Sequence, residues 1–351
     1  MRVLITGICG FAGAAIARTL LEHRADLQVV GIDNLSRRGS ETNVGILKQL
    51  GCEVVVDDLR DPAVLERQPR ADWVIDAAAD PSVLAGLSGS SPATELLRTN
   101  LFSTVPMLEF CRRYGAAFTL LSTSRVYSIH ALLQIPLTLE NMAFQPQAGS
   151  GFEEGVKESF SCQPPLSLYG ASKFCAETLA LEYGSAFGFP VWINRCGVLA
   201  GAGQFGKADQ GIFSFWIHLW AAKKPLKYIG FGGHGHQVRD CLHPADLVPL
   251  LLKQFDSGTD REKPKLINVS GGMESARSLR QLSEWCTSRL GPHTIQADGE
   301  DRPFDLPWMV LNSDLGRAAW DWHPARSTAD IFEEIASHAL AHPDWLDLCG
   351  A

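Results

Sequence analysis

Short apolar runs alternate with stretches of helical periodicity from residue 2 onward. The apolar runs predict strands over residues 2–6, 27–32, 53–57, 73–76, 118–121 and 190–194. Between them the period predicts helices over 14–23, 44–50, 92–114 and 169–187. This alternation implies a parallel, doubly wound sheet, because each parallel neighbour needs a crossover. The rhythm stops over residues 128–168, which are rich in Pro, Gly, Ser and Glu. A patternless segment of that length is usually functional or disordered. It is read as a lid or substrate-side insertion near the active site.

From about Gly197 the composition changes, with Gly, Gln, Trp and His clustered in GAGQFGKADQGIFSFW and GFGGHGHQVRDCLHPADL. Helices are predicted over 243–254, 279–290 and 331–341, with strands over 266–269 and around Val310. The fold class is therefore α/β: a doubly wound nucleotide-binding domain over 1–196 and a smaller mixed α/β domain over 197–351. Some elements of the second half are expected to return to the first.

The first strand runs into Gly7-Ile8-Cys9-Gly10-Phe11-Ala12-Gly13, a G-x-x-G-x-x-G loop that opens the first helix. In such a loop Gly7 permits a tight turn, Gly10 a close approach to a pyrophosphate and Gly13 close helix packing. The helix N-terminus supplies positive potential to the phosphates. Asp33 ends the second strand, placed to accept hydrogen bonds from both ribose hydroxyls of an adenosine, and Asn34 follows it. Asp58 and Leu59 follow the third strand, where an adenine would lie. Ala77, Ala78 and Ala79 follow the fourth and leave room for a cofactor. Asp33 would repel a 2′-phosphate, so NAD is expected rather than NADP. Arg37 and Arg38 keep a 2′-phosphate contact open, or are solvated surface charge.

With 351 residues, the chain can build one large or two unequal domains. A formal net charge of −8 argues against nucleic acid or an anionic membrane as partner. No apolar run is long enough to cross a bilayer. The nine cysteines include no C-x-x-C pair, which suits reduced thiols in a cytoplasm. His234, His236 and His243 lack carboxylate or cysteine partners in a metal pattern, so no metal is expected.

Tyr169 and Lys173 stand four apart at a helix start and share one face. A phenol titrates near 10, and a neighbouring ammonium favours the phenolate. Thr123 ends a strand, where open sheets bind ligands. Its hydroxyl can hold the substrate oxygen from which Tyr169 takes a proton while hydride leaves to NAD. Lys173 can also bind the nicotinamide ribose. Asn100, inside the helix predicted over 92–114, and Cys196 are placed on the cofactor side. Cys196 is read as a small packing residue rather than a nucleophile.

TGICGFAG, Asp33, Asp58, STSRVY and YGASK occur in the order found in the extended short-chain dehydrogenase/reductases, and the chain resembles that family. The resemblance implies a Rossmann fold, NAD, a Thr123–Tyr169–Lys173 catalytic set and a sugar nucleotide in the smaller domain. It also implies a homodimer built on the helices over 92–114 and 169–187. The 4,6-dehydratases of the family carry an acid pair directly after the catalytic Thr. Ser124 and Arg125 stand there, so dehydration is disfavoured.

A narrower resemblance is to the CDP-paratose (CDP-tyvelose) 2-epimerases. It rests on IDNLSRRG, the long gap between Tyr127 and Tyr169, Gln204-Phe205, Asp209-Gln210-Gly211 and HQVRDCLH. It implies an NAD-dependent epimerase of a CDP-sugar. Ser124, Arg125, Arg195, Gln204, Phe205, Gln210 and Gly211 are expected at the substrate, with Arg239 and Arg302 on its diphosphate. A 4-epimerase, a 4-ketosugar reductase and a non-catalytic NAD sensor are the alternatives. Val198, where many relatives have Asn or Ser, departs from the pattern, as does the spacing from Asp305 to Asp314.

Overall fold

Seven of the strands are Arg2–Thr6 (β1), Gln28–Asp33 (β2), Glu53–Val56 (β3), Trp73–Asp76 (β4), Ala117–Thr123 (β5), Val191–Cys196 (β6) and Leu266–Val269 (β7). They form one parallel sheet in the order β3-β2-β1-β4-β5-β6-β7. The computed structural model that shows this describes residues 1–87, 92–207, 210–258, 260 and 262–350. Asp209, part of the substrate-half resemblance, lies outside them. The order reverses between β1 and β4, and a doubly wound sheet binds its ligand in the crevice beyond the strand ends at such a point.

Both faces of the sheet are covered. On β5, Phe118 and Leu120 join one apolar cluster and Ala117 and Leu121 the other, as alternation in a strand requires. Trp73 and Trp192 anchor the face that holds the first helix, Phe11–His23 (α1). Met107 of Thr104–Tyr114 (α2) and Ala176 of Leu168–Phe187 (α3) pack on the opposite face. Strand β7 comes from beyond residue 197 and completes the sheet's far edge.

The single helix predicted over 92–114 is interrupted. A short α-helix, Ala93–Leu97, runs into a π-turn, Arg98–Phe102, before α2 begins. Pro106 has no N–H for the carbonyl of Phe102, so the regular ladder cannot pass that point. The helix predicted over 243–254 opens as a 3₁₀ turn, Pro244–Leu247, and continues as Val248–Ser257.

Residues 128–168 are not a lid. They form a short helix, Ile129–Leu133, and a hairpin of Leu137–Glu140 with Ala143–Pro146. Their apolar side chains pack with Val238, Trp308, Met309, Val310 and Leu311 in a cluster of their own. Val156 exchanges backbone hydrogen bonds with Val310 and Asn312, and Glu158 accepts from the amide of Asn268. The segment braces the two halves. Its composition hid that role, because the apolar side chains that carry the contact are scattered among Pro, Gly, Ser and Glu without a period.

The remaining core gathers Ile212–Ala221 (α4), Leu279–Leu290 (α5) and Thr328–Ala341 (α6) around Trp216, Trp220 and Phe332. Capping boxes start α5 at Ser278 and α6 at Ser327.

Candidate active site

One cleft of about 750 Å³ opens beyond the strand ends, and it is lined by both halves. Its first end is the glycine loop. Gly10 starts α1 without a side-chain cap, and no acidic residue stands in the first turn. Contrast α3, α5 and α6, each closed by a serine hydroxyl. The first amides of α1 thus lack intrahelical partners and border the cleft, as an anion site requires. Gly13 has no alternative, since a Cβ there would lie 2.2 Å from the carbonyl oxygen of Gly7.

Asp33 is oriented by backbone. Its oxygens accept from the amides of Cys9 (2.9 Å) and Leu35 (2.8 Å). Burial lifts its carboxyl above the usual range, opposed by those amides and that of Gly10. Asp58 is pulled down to about 2, chiefly by Arg60, and Asn34 also donates to it at 3.3 Å. Gly7, Gly10, Phe11, Ala12, Gly13, Asp33, Asn34, Asp58, Leu59, Ala77, Ala78, Ala79 and Cys196 all line this end. A dinucleotide fits here on the first amides of α1, the buried carboxylate of Asp33 and the small side chains.

Arg37 also lines the cleft, but its guanidinium donates to Gln210 (2.9 Å) and to the carbonyl of Phe205. Those partners belong to the second half, not to a 2′-phosphate site.

In the middle, Thr123 ends β5 and Tyr169 stands in the first turn of α3. Ser167 caps that helix with a bond from the amide of Gly170 (3.1 Å). Gly170 must be glycine, because a Cβ would sit 2.1 Å from the carbonyl oxygen of Arg125. The helix therefore rests directly on the turn that follows Thr123. Burial pushes the Tyr169 phenol up to about 12, while the nearby Thr123 hydroxyl and the charge of Arg125 work against it. The ammonium expected to favour the phenolate is not among the groups that move it. Lys173, one turn on, is buried and acts instead on the thiol of Cys196. Burial holds that thiol up at about 12, so it is a neutral packing group.

At the other end four arginines meet: Arg125, Arg239, Arg277 and Arg302. Arg239 lies on the strand Val238–Arg239, and the register sets it directly opposite Arg277. Like charges facing each other across strands are destabilising. Arg239 is compensated by Asp305 at 2.8 Å. Arg125 donates to the carbonyl of Phe304 at 3.1 Å, and burial, then Arg239, lowers its guanidinium to about 10. Among the described residues, these arginines and one carboxylate, Asp305, line this end, an arrangement that suits an anion. Arg277 was not anticipated, because only the strand register brings it here.

Ser124, Gln204, Phe205, Gln210, Gly211 and Val198 line the cleft too. Four anticipated residues do not: Cys9, Asn100, Lys173 and Arg195. The side chain of Cys9 packs in the core. Asn100, in the π-turn, grips the loop after β4 by accepting from the amide of Asp80 (2.8 Å) and donating to its carbonyl (2.9 Å). It also donates to Ser172 of α3 at 3.4 Å, so it positions elements around the cleft rather than facing a ligand. Arg195 is corrected most plainly. Its guanidinium pairs with Glu177 at 2.7 Å inside the protein and lies over the ring of Tyr127. No residue of 128–168 lines the cleft either.

The profile of the NAD dependent epimerase/dehydratase family matches residues 3–270. The chain belongs to this family. CDP-paratose 2-epimerase of Salmonella typhi is 28% identical over 95% of this chain and 98% of its own. dTDP-glucose 4,6-dehydratase of Salmonella typhimurium is 26% identical, covering 99% and 95%. Among solved structures, the UDP-glucose 4-epimerase of Thermus thermophilus in complex with NAD shares 25% identity. It covers 97% of this chain and 99% of that one at a TM-score of 0.78. As an NAD-dependent epimerase/dehydratase, the protein is an enzyme of nucleotide-sugar chemistry with NAD as its cofactor. The sensor alternative falls away. Among the described residues no group of three or more His, Cys, Asp or Glu forms a metal site, and no helix is long and apolar enough to cross a membrane.

Proposed function

We propose that the enzyme is a CDP-hexose 2-epimerase. The observation that carries the reading is Ser124 and Arg125 directly after Thr123, in the cleft that Thr123 and Tyr169 line together. Elimination of water needs an acid at that point, and a guanidinium cannot serve as one. The similarity to CDP-paratose 2-epimerase supports the choice of C2 and of cytidine. NAD, when bound, takes up a hydride from the sugar carbon and gives it back, so there is no net redox. Thr123 holds the reacting hydroxyl, and Tyr169 removes its proton and later returns it. Arg239 and Arg302 hold the diphosphate, for which planar guanidinium forks are suited.

Incubation of CDP-hexoses deuterated at C2 or C4, CDP-paratose among them, tests the reading by NMR. Deuterium retained at an inverted C2 is expected. Inversion at C4 with C2 untouched would instead favour a 4-epimerase.

We also propose a homodimer through α2, the π-turn before it and α3, where Val105, Phe102 and Phe187 are exposed. Light scattering should give twice the 38.3 kDa chain mass. All nine cysteines are free, which suits a cytoplasm.

A further inference from the structure

Arg125 joins two parts of the cleft that are otherwise separate. Its amide donates to the Thr123 hydroxyl at 3.2 Å, and its carbonyl supports Gly170, the neighbour of Tyr169. Its guanidinium reaches the other way, to the carbonyl of Phe304 beside the Arg239–Asp305 pair. The backbone is locked at the catalytic turn while the charge extends the arginine cluster toward it. With Arg125, Arg239 and Arg277 gathered around Asp305, this end of the cleft suits a dianionic diphosphate.

We propose that Arg125 selects the reacting carbon, by drawing the diphosphate close to Tyr169 so that C2 is presented for oxidation. C2 is one bond from the anomeric carbon that bears the diphosphate, whereas C4 lies across the ring. An anchor held only by the more distant arginines leaves the length of the ring between diphosphate and phenol, the arrangement that suits C4. Arg125 shortens that distance. The electrostatics agree, since the Arg125 charge acts on the Tyr169 phenol and is itself acted on by Arg239. The inference rests on the 2-epimerase reading above.

The test compares wild type with Arg125→Gln and Arg125→Lys. CDP and cytidine binding are measured by calorimetry with NAD bound, and the position of inversion is read with deuterated CDP-hexoses. Arg125→Gln should weaken CDP binding about tenfold or more, the loss of one charged hydrogen-bonding partner, and leave cytidine unchanged. Its remaining turnover should shift from C2 toward C4. Arg125→Lys should lose less of the CDP affinity, because it keeps the charge. If Arg125→Gln fails to bind NAD, Arg125→Lys carries the test through the same CDP-to-cytidine ratio. An unchanged ratio in the folded variants would overturn the diphosphate role, whichever carbon reacts. A changed ratio with inversion still confined to C2 would overturn the selection of the carbon. Wild type that inverts no C2 would defeat the 2-epimerase reading, and with it the claim on C2.

Discussion

The two ends of the cleft attract negative charge by different means. At the glycine end the donors are backbone amides of α1, left open because Gly10 brings no side-chain cap. At the far end they are guanidiniums, crowded so closely that Arg239 faces Arg277 across two strands. Amides at a helix start are present as soon as the helix forms, and they carry no net charge to be desolvated. Arginines brought together from separate segments, such as Arg239 opposite Arg277, repel one another, and an anion between them relieves that repulsion. The first arrangement suits a cofactor that stays, and the second a substrate that must enter and leave.

The sharpest way to probe the difference starts between the ends. Tyr169→Phe should cut turnover by about a hundred- to ten-thousand-fold while both ends bind as before, since only the proton-transferring oxygen is lost. Steady-state rates with parallel NAD and CDP titrations would show it, and a near-normal rate would identify another base. Gly13→Ala should then strike the glycine end alone. Its Cβ would collide with the Gly7 carbonyl at 2.2 Å, so the loop must shift, and NAD should bind more weakly while CDP binds as before. Arg239→Gln should weaken CDP about tenfold and spare NAD. If either variant damaged both ends equally, the cleft would be one cooperative unit and the contrast would fail.

The smallest effect concerns the histidines beneath the substrate end. His218 and His338 are bonded at 3.1 Å, and Trp345, packed on His338, donates to the carbonyl of Gln204. Burial, then His218 and His342, lowers His338 from 6.5 to about 4, with Glu334 opposing. Between those values the unfolded chain binds a proton that the folded chain refuses. The contribution of this site is full above about 6.5 and is lost as pH falls toward 4. Because His338 is partly exposed, the loss should be on the order of 1 kcal/mol. Thermal unfolding at pH 7 and pH 5 should show a larger drop in Tm for wild type than for His338→Gln. Equal drops would remove the histidines from the account.

What the sequence by itself determined is what short range decides. The strand–helix rhythm, the open helix start at Gly10, Asp33 at the end of β2 and the Tyr169–Lys173 spacing are all written within a few residues. The strand that ends in Thr123 could be recognised in the same way. Tertiary structure decided the rest. The stretch 128–168 looks like a loose loop, yet it is a brace, because its partners Val310 and Asn312 lie far along the chain. Arg195 looks like a ligand group until Glu177, carried on α3, pairs with it inside the core. Arg277 has no motif at all, and only its register opposite Arg239 brings it to the cleft. A guanidinium's role depends on which charge it meets, and in a doubly wound fold that partner is set by strand order and packing rather than by neighbouring residues.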